Sequence, residues 1–232
     1  SGKIIFGTIL GQRELAVKHA LTACVLRPND VDYRLNVAFA IASFKRQQVR
    51  DKSEIGKDLP EVASIARNLL AIEGLSPKTR ARAYNVLSES YTLAIDKIKW
   101  LNKAIELHPY SNAYYSNRAA NYAVLQNREK AAADRAKAEV LTKATILLRK
   151  SRLEKDSAKR ILLSQEACQL TNYSFHPYLE QLAFVHYKNR DYAESLRWYE
   201  KAWKLVESWP DGKTKSRIAR ALRFYRKAAA KK

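Results

Sequence analysis

Apolar residues recur three and four positions apart along this chain, and Val, Ile and Thr never alternate with polar residues between turn signals. The pattern predicts helices throughout and no strand. In chain order, "RLNVAFAIASF" from Arg34 reads as a helix, and a polar insertion near residues 45–59 separates it from "EVASIARNLLAIEGL" after Pro60. Arg82 to Tyr91 and "DKIKWLNKAIELHP" form the next pair. A clear helix pair runs from Asn112 to about Thr145, and another lies between Leu141 and Gln169, ending in "SAKRILLSQEACQL". A last pair is "YLEQLAFVHYKNRDYAESLRWYEKAWKL", closed by Pro210, Asp211 and Gly212. Beyond it, "KTKSRIARALRFYRKAAAKK" holds nine basic residues and no acidic one, with Ile218, Ala221, Leu222 and Tyr225 on one face of an amphipathic helix.

The pairs repeat. Ala104 and Ala138 are 34 residues apart, and His-Pro-Tyr at His108 returns at His176, two such periods later. A 34-residue period marks antiparallel helix pairs that bury their apolar faces only by stacking on neighbours. The segment "YYSNRAANYAVLQNREKAAADRAKAEVL" resembles the tetratricopeptide repeat (TPR) family. The family's small positions, where helices approach closely, fall on Ala119, Ala131 and Ala138, and its large positions on Tyr115, Tyr122 and Leu125. In the last pair, Leu179, Leu182, Ala183, Ser195, Tyr199 and Ala202 match, with His186 where an aromatic is usual. Gly11, Ala16, Ala20, Ala23 and Pro28 fit the end of a repeat whose first helix is cut short, so residues before Ser1 are expected to complete it. The resemblance implies an all-α, right-handed α-solenoid of about five to six helix pairs over residues 1–208, capped by the basic helix of 209–232.

Charge sharpens this picture at one end. The net charge is +20, from 43 basic and 23 acidic residues, and residues 143–232 alone carry 21 basic against 9 acidic. Such a field favours anionic partners. The anionic-surface candidates are Lys213, Lys215, Arg217, Arg220, Arg223, Arg226 and Lys227. Cys24 and Cys168 sit in apolar helical stretches of different repeats and read as small buried hydrophobes.

Enzymatic chemistry finds no foothold. The chain lacks a Gly-rich phosphate loop, His-Glu-x-x-His, Cys-x-x-Cys and Gly-x-Ser-x-Gly. His19, His108, His176 and His186 each occupy helix or junction positions, so no catalytic residue, metal, cofactor or small-molecule substrate is expected. The family's inner-groove positions fall on Asn36, Arg82, Asn85, Asn117, Gln181, Tyr187 and Lys188. An asparagine amide both donates and accepts, so it can pair with the backbone of an extended peptide. The family's clamp for a terminal carboxylate is missing its lysines and arginine, because Asn85, Glu89, Pro177 and Gln181 stand at those positions. The resemblance therefore implies a non-enzymatic scaffold that holds a protein or peptide partner, preferably acidic, in its groove. RNA or DNA is an alternative partner, with Tyr173, Tyr178, Tyr187, Trp198 and Trp203 interleaved among the basic residues. An anionic membrane surface is a third, for a soluble part of a membrane-associated secretion or envelope assembly; otherwise the cytoplasm is expected.

Overall fold

The computed structural model describes residues 30–51, 58–208 and 212–230, and every described element is a helix. They are α1 (Val31–Asp51), α2 (Pro60–Leu70), α3 (Pro77–Glu89), α4 (Ala94–Leu107), α5 (Asn112–Val124), α6 (Arg128–Leu153), α7 (Ser157–Leu170), α8 (His176–Lys188), α9 (Tyr192–Lys204) and α10 (Lys213–Ala229). The chain divides into two compact units, Ser1–Arg135 and Ala136–Lys232. Gly11, Ala16, His19, Ala20, Ala23, Cys24, Pro28, Pro210 and Asp211, assigned from sequence, lie outside the described residues. Among the described residues, no helix is long and apolar enough to cross a membrane.

Local chemistry sets the helix ends. Pro77 opens α3 behind Ser76, whose hydroxyl accepts from the Thr79 N–H at 3.1 Å. Asp156 caps α7 through the Lys159 N–H at 2.7 Å, and Asp191 caps α9 through Glu194. The turns leaving α5 and α8 are built alike. Gln126 and Arg190 adopt φ of 56° and 61°, and the following N–H groups of Asn127 and Asp191 reach back to the carbonyls of Tyr122 and His186 at 2.9 and 3.0 Å. This left-handed closure satisfies carbonyls that the helix end would orphan.

Two boundaries differ from the sequence reading. The polar stretch expected as an insertion from residue 45 starts as helix, since α1 continues to Asp51; Lys45 to Arg50 are mostly strong helix formers without Gly or Pro. The pair beginning near Leu141 has no separate first helix. Residues 128–153 form one helix of 26 residues, because no Gly or Pro interrupts "REKAAADRAKAEVLTKATILLRKSRL", and the Thr142 and Thr145 hydroxyls donate back to the Ala138 and Leu141 carbonyls at 2.8 and 2.9 Å and cap no new helix.

Within the first unit, α1, α2 and α3 bury Leu35, Val37, Ala38, Val62, Ala66 and Leu87 in one core, and Ala81, Leu101, Ala104 and Tyr114 form a second. Arg118 forks onto Asp134 at 2.7 and 2.8 Å and donates to Asn102 at 2.7 Å, tying α5 to the start of α6 and to α4. In the second unit, Ala144, Leu147 and Leu148 of α6 pack with Ala167 and Cys168 of α7, Leu179 and Leu182 of α8, and Ala202 of α9. Small residues permit the closest approach: the buried Ser151 and Ser164 hydroxyls meet at 2.6 Å. Burial pushes the Cys168 thiol up to about 12, which leaves it protonated and inert at neutral pH.

The repeat alanines Ala119, Ala131, Ala138, Ala167, Ala183 and Ala202 are all buried, as are Tyr115, Tyr199 and Ser195. His186 is only 7% exposed, with Nδ1 3.1 Å from Asp191 Oδ2, so it fills the aromatic's place as a core residue. Leu125 departs from expectation. It is the C-cap of α5 and 45% exposed, because the helix ends before the side chain can turn inward. Ala202→Leu should destabilise the second unit by ~1 to 3 kcal/mol, since Ala202 has no exposed surface and Leu182 and Ala167 share its cluster. Urea unfolding checks this; an unchanged midpoint would mean that the small residue is not required there.

Helix α10 closes the second unit. Ile218, Leu222 and Tyr225 are buried against Ala183, Tyr199 and Val206, as the amphipathic pattern required. Glu180 of α8 sits beneath it, its side chain 13% exposed. Arg217 grips both of its carboxylate oxygens, one at 3.0 Å, while His176 Nδ1 lies 2.9 Å away and the Tyr199 hydroxyl donates at 3.3 Å. Burial opposes ionisation of Glu180, but hydrogen bonds from His176 and Arg217 outweigh it and hold the carboxyl at about 2.

Candidate functional site

The first helices of successive hairpins, α1, α3 and α5, present a continuous set of side chains at helical spacing. Asp32, Leu35, Asn36 and Phe39 come from α1; Lys78, Arg82, Asn85, Val86 and Glu89 from α3; Tyr114 and Asn117 from α5. Most of these line one open pocket of about 320 Å³, completed by His108 and Ser111 from the α4–α5 junction. Helix periodicity alone explains the grouping, because residues three, four and seven apart share a face.

Hydrogen bonds then fix the polar groups. Arg82 pairs with Asp32 and donates to Asn36 Oδ1 at 2.8 Å, which bridges α1 and α3. The Asn117 amide donates to Asn85 Oδ1 at 3.1 Å and to Glu89 at 3.4 Å, which bridges α3 and α5. Asn85 is 8% exposed, at the pocket wall, and the Asn121 amide donates to the Asn117 carbonyl at 2.7 Å. Burial pushes the Tyr114 hydroxyl up to about 12, against the opposing pull of Arg82 and Ser111, so it stays a neutral donor at every physiological pH. The outcome is a preorganised rim. The Asn36 oxygen is held by Arg82 and the Asn85 oxygen by Asn117, so only part of the expected amide ladder faces outward.

Of the sequence candidates, Asn36, Arg82, Asn85 and Asn117 therefore meet in one place. The other three do not gather. Gln181 accepts from Arg152 at 3.4 Å. Tyr187 packs on Phe224 at 5.3 Å and edge-on to Tyr225 at 5.6 Å, so the capping helix occupies the side chain that sequence placed in a groove. Lys188 is exposed, its Nζ 5.5 Å from the Phe184 ring. Sequence reasoning missed Asp32, Phe39, Lys78 and Tyr114. Asp32 and Phe39 could have been found one turn to either side of Asn36, and Lys78 one turn before Arg82.

The anionic-surface candidates also divide. Arg217 is bound to Glu180 and Arg226 to Glu200 at 3.2 Å, while Arg220, Arg223 and Lys227 are exposed. Lys215 is half-buried, and the Lys213 side chain lies outside the described residues.

Over the described residues, the helix hairpins and their buried small residues form an α-helical repeat fold whose 34-residue spacing resembles that of tetratricopeptide units. No family model and no curated protein matches the chain. Among solved structures, it is similar to MamA at 14% identity, covering 85% of this chain and 90% of that one, with a TM-score of 0.34. It is similar to BtubC from P. vanneervenii at 13% identity, covering 95% and 83%, with a TM-score of 0.40. It is also similar to the TPR2AB domain of yeast Sti1, solved in complex with pHSP90, at 16% identity, covering 94% and 92%, with a TM-score of 0.32.

Proposed function

We propose that the protein is a non-enzymatic adaptor that holds an extended segment of a partner protein against the inner face of α1, α3 and α5. The observation that carries this reading is the convergence of Asn36, Arg82 and Asn85 on an open pocket whose apolar wall includes Phe39, 45% exposed to solvent. An exposed Phe beside hydrogen-bonded amides, of which Asn85 is buried, is the arrangement expected of a recognition surface: an apolar contact for affinity and fixed polar groups for register. Arg82 is already neutralised by Asp32, so the exposed Lys78 is the cation left to meet an acidic side chain. The ligand that fits is a peptide with a large apolar residue next to Asp or Glu.

Each outward amide contributes only ~0.5 to 1.5 kcal/mol net, so the apolar contact must supply much of the affinity. Panning a random peptide library on the intact protein should return that pattern. Asn85→Ala is expected to weaken the selected peptides about tenfold, since it removes a direct contact and also releases Asn117. Peptides bound equally well by Asn85→Ala and Lys78→Ala variants would contradict the assignment.

A further inference from the structure

Helix α10 carries seven Lys or Arg and no acidic residue along its 17 positions. Its apolar edge is fully engaged under the second unit, where Ile218, Leu222 and Tyr225 are buried. Arg217 and Arg226, flanking that edge, are neutralised by Glu180 and Glu200. The outward edge is different. Arg220, Arg223 and Lys227 are exposed, share one helix face over about 10 Å, and have no carboxylate partner among the described residues.

Aromatic faces lie beside this row. Phe224 is 51% exposed, with its ring 5.3 Å from Tyr187. One turn before Tyr187, Phe184 is also exposed, with Lys188 over its ring at 5.5 Å. Three kinds of anionic partner could use the cations. A bilayer surface would attract the cations, but the helix has no apolar edge to lay among the headgroups, because that edge is under the core, so only the weaker electrostatic contribution is left to it. An acidic protein segment would use the cations, but three of them in a row on one helix face with two exposed rings beside them ask for more regularly spaced anions and flat faces than a single acidic side chain next to an apolar one supplies. Single-stranded nucleic acid uses both, through phosphates on arginine forks and bases stacked on aromatic faces.

We infer that the outward face of α10, with Phe224 and Phe184, binds single-stranded nucleic acid. Phosphates sit on Arg220, Arg223 and Lys227, and bases stack on the two rings. This surface is independent of the peptide pocket, and either assignment can fail without the other.

The test is fluorescence anisotropy of the intact protein with a labelled oligothymidine of about 20 nucleotides across a salt series. Wild type should bind with a steep salt dependence. The R220E/R223E/K227E variant should lose at least about tenfold in affinity, and its log–log salt slope should be shallower by about 2, one decrement of ~0.7 for each lost phosphate contact. Phe224→Ala should weaken binding several-fold with the slope unchanged, because stacking releases no counterion. A charge-neutral R220Q/R223Q/K227Q variant with wild-type melting guards against misfolding and should show the same loss. The inference is overturned if the variants bind as wild type does, if wild type binds no oligonucleotide at low salt, or if phosphatidylserine vesicles bind and oligothymidine fails to compete.

Discussion

Glu180→Gln should lower the unfolding free energy of the second unit by about 2 kcal/mol at neutral pH, because the carboxylate is nearly buried but Arg217 is 57% exposed, which places the pair between a surface and a buried one, and the amide keeps an acceptor for Arg217. Glu180 joins α8 to α10 and to Tyr199 of α9, so removing its charge leaves Arg217 without its counter-ion beside a nearly buried site. A carboxyl lowered from 4.5 to about 2 on folding contributes stability that is complete above its unfolded value and lost as pH falls through about 2. The full shift is equivalent to about 3 kcal/mol, and solvent screening at the exposed Arg217 reduces it toward the smaller value. The stability gap between wild type and Glu180→Gln should therefore be constant above about pH 4.5 and close as pH falls from there to about 2. Chemical denaturation at several pH values checks this, and a gap that persists unchanged at pH 2 would mean the carboxylate is not the source.

Leu182→Ala should cost the second unit about 3 to 4 kcal/mol, in the upper part of the range for buried Leu truncations. Leu182 has no exposed surface and shares its cluster with Ala144, Ala167, Cys168 and Ala202. Those short side chains cannot reach into the void, Leu147, Leu148 and Leu179 of the same cluster are already packed and would open a gap elsewhere by moving, and the α8–α9 turn, closed by the Asp191 N–H on the His186 carbonyl at 3.0 Å, holds the helices apart. The cavity should persist. Urea denaturation should show a lower midpoint with an unchanged slope. A loss under about 1 kcal/mol would mean that the hairpins collapse freely and are not specified by their small residues.

How far the chain could be read by eye depended on the range of each interaction. Ser157–Leu170 was legible to the residue because its cap, Asp156, adjoins its apolar pattern. The buried alanines were legible because close helix approach demands small side chains at a fixed period, whatever surrounds them. The long α6 was not, since a repeat frame implies a turn where the local sequence has no Gly or Pro to make one and its threonines bond back into the helix. The site divided in the same way. Asn36, Arg82, Asn85 and Asn117 follow from the groove positions that the family resemblance implies, but the Arg82–Asp32 and Arg217–Glu180 pairs join residues 50 and 37 positions apart, and no local pattern announces them. Tyr187 was misplaced for a related reason. Its spacing is that of a groove residue, and only the packed position of α10 shows that Phe224 and Tyr225 cover it.

The adaptor reading is tested most directly by an amide-resolved NMR titration of the intact protein with a library-selected peptide. The account expects saturable shift changes at Asn36, Phe39, Lys78, Asn85 and Tyr114, with α8 to α10 silent. Changes confined to the second unit, or scattered over both without saturation, would contradict it.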